Sequence, residues 1–167
     1  MALLIFIAFP LGLILGELPL SPLKLKLFTW HKGLGITILL LAVLRILWRI
    51  THPPPALPAE LPRWQHRSSQ GVHYFLYALI VAIPLSGWLM SSAKGVQTVW
   101  FGMLPLPDLI AKNKELGGML KNLHTSLNYT LLGLVLLHLA AVVKHQWVNH
   151  DSILVRMLPR WRRRGQP

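Results

Sequence analysis

Eight histidines give this chain its means of doing chemistry: His31, His52, His66, His73, His124, His138, His145 and His150. An imidazole can bind a metal, carry a proton or hydrogen-bond across helices. His52, His66 and His150 fall in polar connecting segments and read as solvated or headgroup-facing rings. The other five lie inside or at the ends of apolar stretches, where an ionisable residue marks a functional position by default. The structural alternative for each is a helix–helix hydrogen bond. Spacing bears on the choice. His124 and His138 are fourteen residues apart, about 40° short of four helical turns and about 21 Å along the axis, so both face one way. His145 continues that stripe seven residues on. His31 enters its own apolar stretch at a depth matching that of His124. Two imidazoles at one depth on different helices can ligate one haem iron from both faces.

Elimination supports haem over other metals. The chain has no cysteine, which excludes disulfides, zinc–thiolate sites, iron–sulfur clusters and Cys nucleophiles. Zinc needs a third and fourth ligand, and the five acidic residues avoid the apolar stretches. Paired-carboxylate catalysis is disfavoured for the same reason. Haem asks only for two axial imidazoles and an apolar slot. Gly33, Gly35 and Gly133 offer places where a macrocycle can approach the backbone, or where helices pack closely. Arg45 follows His31 by fourteen residues, on the same helix face near the other end. It can neutralise a propionate or a semiquinone, or snorkel to the lipid interface.

The elements that must position these residues are membrane helices. Of 167 residues, 53% are apolar and 13% charged, with mean hydropathy +0.50, whereas a soluble domain is about 25% charged. A span needs about 20 apolar residues. Four stretches qualify or nearly so: residues 1–16, 27–50, 72–93 and 122–143. The fold class is therefore an all-α integral membrane protein, one membrane domain over 1–167 with a basic tail at 151–167. Trp30, Trp48, Trp88, Trp100 and Trp147 sit near span ends, as indoles do in the headgroup layer. Residues 99–106 (VWFGMLPL) are too short to cross and read as an interfacial segment after the third helix. The formal charge of +12 points to lipid headgroups rather than nucleic acid. Ten basic residues on the side of the 51–71 loop and the tail face seven lysines on the other side. By the positive-inside rule both termini are cytoplasmic. The first stretch has no basic n-region and no A-x-A-like site, so it does not read as a cleaved signal peptide. At sixteen residues it rises about 24 Å, short of a crossing, which suggests a start further upstream.

The chain resembles the bacterial cytochrome b561 family, related to the b-type haem subunits of Ni,Fe-hydrogenase and formate dehydrogenase. The resemblance rests on TWHKGLGITILLLAVLRILWRITHPPP from Thr29 to Pro55 and GVHYFLYALIVAIPLSGW from Gly71 to Trp88. It extends to LHTSLNYTLLGLVLLHLAAVVKHQWV from Leu123 to Val148 and DSILVRMLP from Asp151 to Pro159. It implies a four-helix transmembrane bundle enclosing two b haems, with His31, His124 and His138 on haem iron. The family's His-Trp-Leu in helix one falls two or three residues before Met1. The resemblance pairs His138 with that missing His, and leaves His73 and His145 near the inner haem or a quinone. Depth alone would also allow His138 to pair with His73.

The implied function is electron transfer between an outer-side donor and a membrane quinone in the bacterial inner membrane, as part of a respiratory chain. The seven outer lysines face only Glu17, Asp108 and Glu115 and can steer an anion. Superoxide is such an anion, which would make the chain a superoxide:quinone oxidoreductase. The alternatives are a haem b anchor relaying electrons from a partner hydrogenase or dehydrogenase, and a non-haem transporter or structural protein.

Overall fold

The computed structural model describes residues 1–52 and 63–147. In chain order the elements are α1 (Ala2–Glu17), α2 (Pro22–Thr51), α3 (Arg63–Ala93), β1 (Val99–Trp100), β2 (Leu104–Pro105) and α4 (Lys114–Trp147). Residues Met1–Tyr129 form one compact unit; Thr130 onward, the later part of α4, belongs to a second.

The starts of α2 and α4 have local causes. Ser21 caps α2, its hydroxyl accepting the Lys24 N–H at 3.2 Å, and Pro22 occupies the first turn, where its missing donor costs nothing. The Asn113 side chain accepts the Leu116 N–H at 3.0 Å at the start of α4. The helices outrun the apolar stretches. α2 begins at Pro22 rather than 27, α3 at Arg63 rather than 72, and α4 at Lys114 rather than 122. Hydropathy locates the part of a helix that lipid can cover, and a polar extension such as RWQHRSSQG leaves no apolar signal. His66 therefore lies within α3 and not in a loop.

Among the described residues, three helices are long and apolar enough to cross a membrane: Pro22–Thr51, Gln70–Ala93 and Lys114–Ala140. α1 is a shorter apolar helix of 16 residues. Pro10 and Pro84 lie inside α1 and α3 without ending them, as bilayer helices allow.

In the first unit α2 is the hub, packed on both α1 and α3. Ala8, Leu34 and Ile38 form its buried core, with Leu4, Ile5, Leu11, Ile80 and Phe101 against it. Large side chains face outward, Phe6 at 78% exposure and Leu44 at 61%, as on a helix bundle that lipid surrounds.

The 99–106 segment follows α3 without extending it. It is a β-hairpin, with Val99 opposite Pro105 and Trp100 opposite Leu104. Its turn places Phe101 at φ 48° and Gly102 at φ 76°, closed by the Met103 N–H on the Trp100 carbonyl at 3.0 Å. Left-handed φ at both central residues of the Trp100–Met103 turn has the hand that matches strand twist. A non-glycine there costs about 1–2 kcal/mol, and Phe101 offsets it by packing. Its ring fills the space over Gly33, where an added Cβ would lie 2.6 Å from it, and meets Trp30 edge-on at 5.6 Å. Trp100 donates to the Thr37 hydroxyl at 3.1 Å, and Lys32 Nζ donates to the Val96 and Gln97 carbonyls at 3.0 Å each. The hairpin is thus fastened along α2. Gly33 serves this docking, which corrects its reading as a place for a macrocycle to approach.

Candidate functional site

The first unit brings together His31 and His124. Their ring centroids are 6.3 Å apart, with planes at 86°. Each ring is held by its Nδ1. His31 Nδ1 meets the Ala8 carbonyl of α1 at 3.1 Å; His124 Nδ1 meets the Ile83 carbonyl of α3 at 2.9 Å and the Ser86 hydroxyl at 3.0 Å. A carbonyl can only accept, so Nδ1 carries the proton in both rings, and Nε2 is left with the lone pair that binds a metal. A metal-bound histidine is normally oriented by a hydrogen bond of this kind from its second nitrogen.

Two glycines make room for the rings. A Cβ at Gly12 would stand 3.0 Å from His31 Cε1, and one at Gly87 would stand 3.1 Å from His124 Cε1 and 3.3 Å from its Nδ1. Each glycine lies four residues after the accepting carbonyl, Ala8 to Gly12 and Ile83 to Gly87, with a Pro-Leu pair between. One helical turn thus supplies both the acceptor and the clearance. None of Ala8, Gly12, Ile83, Ser86 and Gly87 was singled out in the sequence. The signal that could have found them is the repeated Pro-Leu-(Ser)-Gly in two apolar helices.

The arrangement fits a b-type haem. With Nδ1 engaged in both rings, His31 and His124 would each have Nε2 available to hold the iron of such a group, and their ring centroids are 6.3 Å apart. His31, Gly35, Pro84, Gly87, Thr98 and His124 border a cleft of about 50 Å³. A Cβ on Gly35 would meet nothing within 4 Å, so this part of the backbone is open to a flat ligand. Thr98 is 2% exposed and its hydroxyl has no partner, an omission that ordinarily costs about 1–3 kcal/mol. It is a polar group waiting at the wall of the cleft. Among the described residues no group of three or more His, Cys, Asp or Glu could hold a metal ion, which is consistent with a ligand that needs only two imidazoles.

The other candidate residues lie elsewhere. His138 is half-buried in the second unit, and His145 lies in the last turns of α4. His73 is exposed on α3. Arg45 donates from Nε to the Tyr77 hydroxyl at 3.1 Å. Gly133 has nothing within 4 Å of an added Cβ. His150 lies outside the described residues. Beside the paired rings, Lys32 lines the cleft, with its ammonium 4.7 Å from the centre of the Phe28 ring. Beyond the spans, the Lys94 ammonium is held below the usual lysine range, first by burial and then by repulsion from Lys121.

Apolar membrane helices carrying paired, carbonyl-anchored imidazoles define the class: a helical membrane protein with a histidine pair between its helices. The family model of prokaryotic cytochrome b561 matches residues 1–160, and the chain belongs to that family. It is 34% identical over 129 residues to cytochrome b561 homolog 2 of Escherichia coli (strain K12), covering 77% of this chain and 68% of that one. It is 32% identical over 136 residues to the probable superoxide oxidase CybB of Yersinia pestis, covering 79% and 74%. Cytochrome b561 homolog 1 of Escherichia coli (strain K12) is 26% identical over 130 residues, covering 78% and 73%. Membership makes the chain a bacterial membrane protein of electron transport and implies b-type haem.

Proposed function

We propose that the chain is a four-helix transmembrane b-type cytochrome that passes electrons from superoxide to membrane quinone. In this reading His31 and His124 hold one haem b, His138 holds a second, and His73 and His145 lie near that second haem or a quinone. The observation that carries it is the His31–His124 pair, with both Nδ1 atoms anchored on backbone carbonyls and 6.3 Å between ring centres. The likeness to a probable superoxide oxidase favours superoxide as donor.

A b-type haem held by His31 and His124 would supply one-electron outer-sphere transfer. The chain's own residues do the rest. The Ala8 and Ile83 carbonyls fix the ring orientations and raise the basicity of Nε2. The apolar side chains of the spans exclude water. Lysines at the outer end, among them Lys112, Lys114 and Lys121, attract a small anion. Two superoxide ions each lose one electron and leave as dioxygen; one quinone takes both electrons with two protons and becomes quinol.

Rapid mixing of the haem-loaded protein with superoxide tests this reading. Reduction of the haem, followed by its reoxidation on adding quinone, is expected. Exchanging Lys112, Lys114 and Lys121 together for Gln should slow reduction several-fold at low salt. The difference should shrink near 0.1 M salt, where the screening length is about 10 Å. Equal rates at low salt would remove the steering role, and a haem that superoxide leaves oxidised would remove the donor.

A further inference from the structure

We propose that Arg45 and Arg49 of α2, gathered on Tyr77 of α3, bind the phosphate of an anionic phospholipid headgroup. The two arginines are four residues apart, so they share a helix face, where like charges repel. Both nevertheless sit over one ring: the guanidinium carbon of Arg45 is 5.6 Å and that of Arg49 5.2 Å from the Tyr77 centroid. Arg45 Nε donates to the Tyr77 hydroxyl at 3.1 Å. The carboxylates among the described residues, Glu17, Asp108 and Glu115, do not belong to this end of the molecule. Glu17 closes α1, while Asp108 and Glu115 flank the start of α4. Arg45 lies fourteen residues along α2 from His31, or about 21 Å. Two like charges are therefore held together with no counter-charge among the described residues.

The unused donors specify the ligand. Arg45 spends one of its five N–H groups on Tyr77, Arg49 also faces that hydroxyl, and each guanidinium has further N–H donors to offer. The Tyr77 hydroxyl accepts from Arg45 and still has its own proton to give. Two planar forks and a phenol O–H suit the several acceptor oxygens of a phosphate, which arginine can engage in bidentate fashion. Location specifies the source. The site lies in the last turns of a membrane span, its two arginines on either side of Trp48, which stacks on His52 at 3.8 Å. An indole at a span end marks the headgroup layer, and basic pockets between membrane helices are where anionic headgroups bind. This exposed pairing with Arg49 and Tyr77 favours a lipid over the propionate or quinone role that sequence spacing allows for Arg45.

The test is the thermal midpoint of the full, haem-loaded chain in detergent, followed by tryptophan fluorescence. Phosphatidylglycerol, phosphatidylcholine and inorganic phosphate are added in separate arms. Phosphatidylglycerol should raise the midpoint well beyond the other two. The double variant Arg45→Gln with Arg49→Gln should lose that excess while keeping its haem. The milder Tyr77→Phe should lose part of it, and the Arg45→Lys, Arg49→Lys pair should retain part. A full phosphatidylglycerol effect in the Gln variant would overturn the proposal. An equal effect from inorganic phosphate would overturn the lipid assignment. Loss of haem in the Gln variant would assign the arginines to the cofactor instead.

Discussion

His31 leans on α1 and His124 on α3, yet the two helices hold their guests by the same means. Each offers a carbonyl to Nδ1, a Pro-Leu pair in the next turn, and a glycine four residues on that clears the ring. The difference is Ser86, whose hydroxyl gives His124 Nδ1 a second contact at 3.0 Å and itself donates to Ile83 at 2.7 Å; the Ala8 cradle has no such addition. The common part is what axial ligation requires of a neighbouring helix: an acceptor and room. The added part adjusts the basicity of one ring.

Four sets of substitutions probe whether the two cradles act alike. The largest effect belongs to the rings themselves. His31→Ala and His124→Ala should each remove about one haem per chain, measured as haem per protein, because both serve one iron. If one variant keeps its full complement, the two cradles do not serve a common ligand.

Bulk in the cradles comes next. Gly12→Val and Gly87→Val place a side chain where even a Cβ stands 3.0–3.1 Å from the ring. Both should weaken haem retention at least tenfold while helical content persists. Gly35→Ala, which meets nothing within 4 Å, should leave the haem-free fold unchanged and disturb only the loaded form. Titration of haem into the three variants, with circular dichroism alongside, checks this.

Thr98→Val removes a buried hydroxyl that has no partner. Without haem it should be neutral or stabilising by about 1 kcal/mol. If the hydroxyl serves the bound group, the sign should reverse in the loaded protein. Denaturation of both forms reads the sign directly.

Ser86→Ala should have the smallest effect. It takes away one of two contacts at His124 Nδ1, lowers the ring's basicity and makes the ferric state less favourable. The midpoint potential should rise, by no more than about 1 kcal/mol or roughly 40 mV for one electron. An unchanged potential would make the Ser86 contact incidental.

Much of this was legible in residue type and spacing. The apolar runs located three long helices and the shorter α1, and of the histidines singled out with them, His31 and His124 come together in the fold. The cradles were not legible, because their active groups are backbone carbonyls, which every residue carries, and glycines, which have many uses. Gly33 shows the difficulty. It lies two residues from His31 and looked suited to a cofactor, but it receives Phe101 from a hairpin whose turn breaks the usual sequence preference. Gly12 and Gly87 lie on other helices and reach the histidines only through tertiary packing. The polar start of α3 was missed because hydropathy sees lipid contact and not helical hydrogen bonding.

His31 and His124 are proposed to hold one b-type haem together. Electron paramagnetic resonance of the oxidised protein tests it most directly. Ring planes at 86° leave the two iron π orbitals nearly equal in energy, so the account predicts a strongly anisotropic low-spin ferric signal that disappears in both His31→Ala and His124→Ala and persists in His138→Ala. A strongly anisotropic low-spin signal that survives the loss of His31 or His124 would contradict it.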